Sequence, residues 1–135
     1  AVRQRGSEIG ATTGRLRRTG WLDIPLLRHS IKMNDAKELV LTKLDVLSGF
    51  KKIKVCTSYI VNGKKTDLAP FDLTRVDIRP VYASFPVWKG KLLDYKGRLP
   101  KEAIRYVKFL EKSLGAKIIY VGTGPEDHQV LERYW

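Results

Sequence analysis

The chain has 135 residues, 43% of them hydrophobic, and a formal net charge of +12. That apolar share excludes a disordered chain, and without an apolar run of about 18 residues or a secretory leader we expect no membrane span and no export. The single cysteine, Cys56, excludes an internal disulfide and is typical of a reducing compartment, so we expect the cytoplasm.

The amino-terminal part of the chain predicts a loop followed by a helix. Residues 1–20 are dense in Gly, Thr and Arg, which indicates a loop. Asp23 can cap a helix over Ile24–Met33, and Pro25 is tolerated in its first turn. The apolar side of this helix is expected to comprise Leu26, Leu27 and Ile31.

Strands are predicted in the middle of the chain. Residues 39–41 form a short, continuous apolar run, which is typical of a strand buried on both faces. Residues 53–61 alternate in a strand pattern, and Asn62-Gly63 predicts a hairpin turn because both residue types accept a positive φ. A return strand is expected over residues 65–68.

A proline-rich stretch follows over residues 69–99 and predicts a long, ordered, loop-rich excursion. We expect it to be anchored to the core at two dipeptides, Val81-Tyr82 and Val87-Trp88.

The last part of the chain predicts a helix and a strand. Pro100 opens the helix, which runs to about Leu114 and stops at Gly115. Residues 117–121 then form another strand of the buried type. The order of elements predicts an α/β fold, in which residues 42–45 and 122–125 are loops at strand carboxyl ends, where open α/β sheets bind ligands.

Residues 10–17 form a glycine-bracketed loop suited to anions. Thr12 and Thr13 add hydroxyl donors to backbone N–H groups, and Arg15 and Arg17 can each hold a carboxylate or phosphate in a forked pair. On an extended backbone the two arginines point to opposite sides, so that each could serve a different ligand. An ordinary flexible basic loop explains the same pattern equally well.

The run Thr42-Lys43-Leu44-Asp45 is similar to the N-K-x-D box of guanine-nucleotide-binding proteins. A fixed carboxylate accepts hydrogen bonds from guanine N1–H and the 2-amino group, whereas adenine would leave it unpaired. The lysine stem can lie along the base. Gly122-Thr123-Gly124-Pro125 could form the opposite wall. Taken singly, each run is better explained as a surface turn.

Taken together, these motifs resemble the adenylosuccinate synthetase family. Residues 8–23 look like its aspartate-binding loop and residues 41–50 like its guanine box, and further motifs follow in family order. The resemblance implies a mixed-sheet GTP-dependent ligase fold, of which residues 1–135 are a carboxy-terminal portion. It also implies the ligation of L-aspartate to IMP, with GTP as co-substrate and Mg²⁺ as cofactor.

The resemblance assigns residues to substrates. The aspartate-binding set would be Ala11, Thr12, Thr13, Gly14, Arg15, Leu16 and Arg17, with Arg15 also near IMP. The GTP-binding set would be Arg17, Lys43, Leu44, Asp45, Gly122, Thr123 and Gly124. The chain departs from the family at Gly122, where Ser is common, and at Glu126-Asp127, where Asp-Arg is common, which indicates a divergent branch.

The family's phosphate-binding glycine loop, its catalytic aspartate and histidine, and its magnesium ligands belong to an amino-terminal part. Nothing in this sequence matches G-D-E-G-K-G. We therefore expect no catalytic residue and no metal ligand in this chain, no activity from it alone, and a missing amino-terminal half of the same enzyme that supplies these groups. Family members are typically homodimers, and the same is expected here.

The high positive charge leaves other readings open. It can mark a phosphate-bearing partner, a lysine-rich soluble surface, or a basic part that pairs with a more acidic remainder. A basic nucleic-acid-binding module is the main alternative function, because tryptophans and tyrosines are scattered among the lysines. A purely structural domain without a ligand is a third.

Overall fold

The computed structural model describes residues 2–70, 72, 77–95 and 97–132, and shows an α/β fold built on two small sheets. The helices are α1 (Val2–Arg5), α2 (Ile24–Met33) and α3 (Lys101–Leu114). The strands are β1 (Leu22–Asp23), β2 (Glu38–Leu41), β3 (Ile53–Val61), β4 (Lys64–Thr66), β5 (Ile78–Phe85), β6 (Lys117–Gly122) and β7 (Val130–Glu132). Short 3₁₀ turns cover Leu44–Leu47, Leu92–Tyr95 and Asp127–Gln129.

The first sheet is organised around β3. Strand β5 pairs with it antiparallel along its whole length, while β1 (parallel) and β4 (antiparallel) pair with different parts of it. The predicted hairpin turn is confirmed, since Asn62 and Gly63 have φ values of 48° and 80°. Strand β4 starts one residue earlier than the return strand predicted over residues 65–68 and ends two residues sooner.

The second sheet has the order β2-β6-β7, with β2 and β6 parallel and β7 antiparallel to β6. In the part of the chain that the structure describes, β6 is the only strand that pairs with β2. Val40 is 56% exposed, and Leu39 and Leu41 are only partly buried. The expectation that residues 39–41 are buried on both faces is therefore wrong for this structure.

The core lies between helix α3 and the two sheets. The bounds predicted for α3 are confirmed: Pro100 caps its start, and Gly115, with φ 70°, ends it by donating its N–H to Glu111 O at 2.9 Å. The central buried side chains are Ile24, Leu44, Ile53, Val55, Trp88, Leu92, Tyr106, Val107, Leu110, Ile118 and Val121.

Helix α2 also has the predicted bounds and the predicted cap. Asp23 Oδ1 accepts the Leu26 N–H at 3.0 Å, and Asp23 Oδ2 accepts from the Tyr59 hydroxyl at 2.5 Å. Leu27 and Ile31 pack against the core, but Leu26 is 46% exposed. The apolar side predicted for α2 is therefore only partly buried.

Two elements fall where the sequence predicts loops. The short helix α1 lies within residues 1–20, and β5 lies within the 69–99 excursion. Of the anchors expected there, Trp88 is buried and donates its indole N–H to Ser48 Oγ at 2.6 Å, while Tyr82 is exposed. Residues 71, 73–76 and 96 of the excursion lie outside the described residues.

Among the described residues, no helix combines the length and the apolar character needed to cross a lipid bilayer.

Candidate functional site

Two of the motif-bearing loops lie side by side at one edge of the second sheet. Residues 42–45 follow β2, and residues 122–125 follow its parallel neighbour β6. A Cβ built on Gly122 would lie 3.4 Å from Thr42 Cα and 3.5 Å from Lys43 N. The sheet thus brings the backbones of the two loops into contact, as the sequence predicts for loops at strand carboxyl ends.

The box over residues 42–45 is anchored to the hydrophobic core by Leu44. Leu44 is 1% exposed and its side chain belongs to the core, so that side chain is not available to a ligand. Lys43 adopts the left-handed conformation, with φ 59° and ψ 33°, which costs a residue with a Cβ roughly 1–2 kcal/mol. Strain of this kind persists where the surrounding structure determines it, and it is frequent at ligand sites.

Asp45 is partly buried on the 3₁₀ turn Leu44–Leu47. Its carboxylate makes no hydrogen bond and no ion pair within the described ranges 2–70, 72, 77–95 and 97–132. A half-buried carboxylate without a partner is the acceptor that a base with two adjacent N–H donors requires.

The ammonium group of Lys43 faces the amino-terminal segment. It donates to Gly6 O at 2.9 Å and to the Glu8 carboxylate. The other oxygen of Glu8 accepts from Arg17 Nη1 at 3.3 Å. The hydrogen bond from Lys43 is the main cause that lowers the pKa of Glu8, so this carboxylate is ionised at neutral pH.

Helix α1 also supports the box. The Arg5 guanidinium donates to Ser48 O and lies 4.5 Å from the centroid of the Phe50 ring. The segment before the 10–17 loop therefore holds the residues that follow Asp45.

The 10–17 loop closes on itself as a small hairpin between α1 and β1. Gly10 N donates to Arg15 O at 2.8 Å, and Arg17 N donates to Glu8 O at 3.0 Å. Gly14 has φ 63° and donates its N–H to Gly10 O at 2.8 Å. This loop follows helix α1 and not a strand, unlike the loops over residues 42–45 and 122–125.

The arginines of this loop border two depressions. The smaller, of about 400 Å³, is lined by Gly10, Thr13, Arg15, Leu16, Arg17 and Arg18. Arg17 also lines a larger cleft of about 610 Å³, together with Thr42, Lys43 and Leu44. Ala11 and Thr12 are exposed at the tip of the loop. Arg17 thus connects the loop with the box.

The larger cleft has apolar walls from α2 and the core, among them Trp21, Leu26, Leu27 and Tyr106. Burial raises the pKa of Tyr106 to about 12, so its phenol is neutral at physiological pH. Asp45 and the 122–124 turn are not part of this lining. The cleft therefore borders Thr42, Lys43 and Leu44 of the box but not Asp45.

The 122–125 turn is held by Gln129. Thr123 is buried, and both its N–H and its hydroxyl donate to Gln129 O at 2.8 Å. Glu126 N donates to Gln129 Oε1 at 3.0 Å. A Cβ on Gly124 would lie 1.9 Å from that oxygen, which explains the glycine. Because the Thr123 hydroxyl is engaged inside the turn, the wall can offer a base only backbone groups.

Comparison with known proteins agrees with these motifs. The family model described as adenylosuccinate synthetase matches residues 1–131. This chain belongs to the adenylosuccinate synthetase family.

Similar relatives of the family come from distant organisms. The chain is 43% identical to the adenylosuccinate synthetase of Caldicellulosiruptor bescii over 136 residues, which is 97% of this chain and 32% of that protein. It is 45% identical to that of Koribacter versatilis over 135 residues, covering 97% of this chain and 30% of the relative. The chain thus spans about a third of the length of these relatives.

A solved structure is similar to the fold. The fully ligated adenylosuccinate synthetase of Plasmodium falciparum superposes with a TM-score of 0.87 at 33% identity, covering 98% of this chain and 33% of that one. The mixed α/β fold implied by the resemblance is confirmed.

The geometry adds two residues to those singled out for the adenylosuccinate synthetase motifs. Glu8 joins Arg17 to Lys43, and Gln129 shapes the 122–125 turn. Glu8 appears in the sequence only as the first residue of the family-like stretch, and its partner Lys43 lies 35 residues further along the chain. No spacing rule connects residues so far apart.

Proposed function

We propose that this chain supplies the aspartate- and guanine-recognition loops of an enzyme that joins L-aspartate to IMP at the expense of GTP. The product would be adenylosuccinate, and the role would be a ligase step of purine biosynthesis. Membership of the family supports this activity. The residue assignments rest on the geometry of the loops.

The contact between residues 42–43 and Gly122 carries the proposal. It places a box with an unpartnered carboxylate beside a turn that can offer only backbone groups. Guanine fits these groups, because its N1–H and 2-amino group can both donate to Asp45, while the stem of Lys43 covers the base. Adenine would leave the partly buried carboxylate without donors.

The 10–17 loop would bind the carboxylates of aspartate. Thr12, Thr13 and Arg15 would donate to them, with Arg15 also close to IMP, and Arg17 would reach the nucleotide. The position of Arg17 at both depressions supports this division of roles. Guanidinium forks suit carboxylates because two parallel hydrogen bonds form at once.

The remaining chemistry would come from the part of the enzyme beyond this chain. Within the described residues, no three His, Cys, Asp or Glu side chains lie close enough together to hold a metal ion, and we propose that the magnesium ligands belong to the part beyond this chain. We propose that the proton-transfer groups are also supplied from outside, that the chain alone turns over no substrate, and that the enzyme is a cytoplasmic homodimer.

Replacing Asp45 tests the guanine assignment. In Asp45→Asn an amide replaces the carboxylate, so one strong acceptor of the guanine donors is lost and an N–H becomes available for the 2-oxygen of xanthine. We expect the dissociation constant of GDP to rise about tenfold to a hundredfold, and that of XDP to fall. Isothermal titration calorimetry with GDP, XDP and ADP measures all three.

Asp67→Asn is the matched control, because Asp67 is exposed and pairs only weakly with Arg28 at 3.4 Å. It should leave nucleotide binding unchanged. Unchanged GDP binding in Asp45→Asn would refute the guanine assignment, as would a wild-type chain that binds no guanine nucleotide.

A nucleic-acid-binding module remains the alternative that the charge of +12 supports. It predicts binding of single-stranded RNA that weakens steeply with salt and does not distinguish GDP from ADP. A preference for GDP that persists at moderate salt, and that depends on Asp45, would count against it.

A further inference from the structure

Glu8 occupies an unusual position in the candidate site. Its carboxylate is the one described group that contacts both Arg17 of the 10–17 loop and Lys43 of the 42–45 box. The side chain of Glu8 is 17% exposed, whereas those of Arg17 and Lys43 are 58% and 50% exposed. The side chains of Arg17 and Lys43 are thus largely exposed, whereas the carboxylate that they share is mostly buried.

The backbone around Glu8 explains why it is held. Glu8 N donates to Arg3 O at 3.0 Å, and Glu8 O accepts from Arg17 N at 3.0 Å. Helix α1 lies on one side of Glu8 and the neck of the 10–17 hairpin on the other. Since Arg5 also binds Ser48 O behind the box, the segment from Arg5 to Glu8 contacts both loops and has little freedom of its own.

We propose that Glu8 is a positioning residue that couples the carboxylate-binding loop to the guanine box. With Arg17 and Lys43 on one carboxylate, ordering of the loop by a dicarboxylate orders the guanidinium of Arg17 and, through Glu8, the ammonium of Lys43. By linkage, a guanine nucleotide that orders Lys43 favours the binding of the dicarboxylate by the same factor.

Lys43 is held at its ammonium end. Glu8 contacts Lys43 at the ammonium end, which leaves the four-carbon stem to lie along a base. Gly6 O holds a second N–H of the same ammonium group, so the position of the stem is set by two acceptors from one segment. This arrangement concerns how the loops act together, and it rests on the proposed function for the identity of the two ligands.

A ligand-free measurement tests the coupling first. Hydrogen–deuterium exchange of the chain is followed in the segments 10–17 and 43–48. Glu8→Gln removes the charge but keeps the size, and it should raise exchange in both segments. Lys43→Met should raise exchange in the 10–17 loop, although its own side chain touches that loop only through Glu8.

The double variant decides whether one carboxylate is responsible. In the Glu8→Gln background, Lys43→Met should add nothing to exchange in the 10–17 loop. The matched control is Asp77→Asn, which breaks the exposed Asp77–Arg79 pair (3.1 Å) on another face and should change neither segment. Additive effects, or a Glu8→Gln effect on one segment alone, would overturn the proposal.

A ligand measurement separates this inference from the function on which it rests. In the wild type, saturating L-aspartate should tighten GDP binding by about fivefold, which is the low end of measured couplings because the two cations are exposed. In Glu8→Gln the factor by which aspartate tightens GDP binding should fall to one. A merely structural defect would weaken the binding of both ligands and leave that factor unchanged. GDP binding without any effect of aspartate in the wild type overturns the coupling alone; absence of GDP binding overturns the proposed function.

Discussion

Two regions of this molecule are held together by different forces. Around helix α3, apolar side chains such as Val107 and Leu110 are buried against both sheets, and their positions follow from helical and strand periodicity. Around the 10–17 loop and the 42–45 box, order comes from ion pairs and backbone acceptors at the surface. The core region is held together by buried apolar contacts. The site region depends on a few polar contacts that ligands can reinforce or replace.

Matched leucine substitutions should give the largest contrast between the regions. Leu110 is 1% exposed in α3, and Leu26 borders the larger cleft from α2. We expect Leu110→Ala to lower the free energy of unfolding by about 2–5 kcal/mol, because it leaves a cavity in the core. Leu26→Ala should cost about 1 kcal/mol or less. Urea denaturation followed by circular dichroism measures both, and equal losses would show that the two sides are packed alike.

A pair of glycine substitutions sharpens the contrast inside the site. Gly124→Ala places a methyl group 1.9 Å from the present position of Gln129 Oε1, so the Gln129 side chain must leave Glu126 N. The loss of that hydrogen bond should lower the free energy of unfolding by about 1 kcal/mol and weaken GDP binding. Gly122→Ala is the control for stability alone, since its Cβ meets Thr42 Cα at 3.4 Å. If Gly122→Ala proves the more harmful, the turn is held differently from what the contacts of Gln129 indicate.

As the pH falls, hydrogen–deuterium exchange should rise in the site region before it rises in the core. We expect this effect to be smaller than those of the leucine and glycine substitutions. The pKa of Glu8 is lowered from its ordinary value of 4.5 by the hydrogen bond from Lys43. The contribution of the ionised carboxylate is therefore complete above that value and is lost as the pH falls through the lowered pKa. Exchange in segment 10–17, compared with that of α3 over a pH series, should rise at the acid end in the wild type.

The same acid-dependent rise should be missing in Glu8→Gln, whose amide does not titrate. Glu8 is the one carboxylate in its cluster with Lys43 and Arg17, so its replacement by an amide removes the acid group of that cluster. A rise of equal size in the variant would assign the acid sensitivity to another carboxylate.

Local patterns predicted the elements that depend on local physics. The bounds of α2 and α3 follow from a cap at Asp23, a proline at the start of α3 and a glycine at its end. The β3–β4 hairpin follows from alternation and from Asn62-Gly63. Family motifs then predicted which loops bind substrates. The structure brings two of these loops, over residues 42–45 and 122–125, into contact.

What the sequence missed depends on tertiary context. Pro80 favoured a loop over residues 69–99, yet it lies inside β5, where it is tolerated because an edge strand needs hydrogen bonds on one side only. Glu8 and Gln129 owe their roles to partners brought near by folding, and no periodicity marks them. Likewise, the apolar run in β2 says nothing about how many neighbours that strand has.

Strand β2 pairs with one described strand, β6, and this affects how the protein behaves in concentrated solution. Among the described residues, the side of β2 away from β6 has no partner strand, so its backbone donors and acceptors can pair with another extended segment. That segment would lie directly upstream of Lys43. Crowded solutions of the chain should therefore favour self-association at that side of β2, and a short β-forming peptide should suppress it.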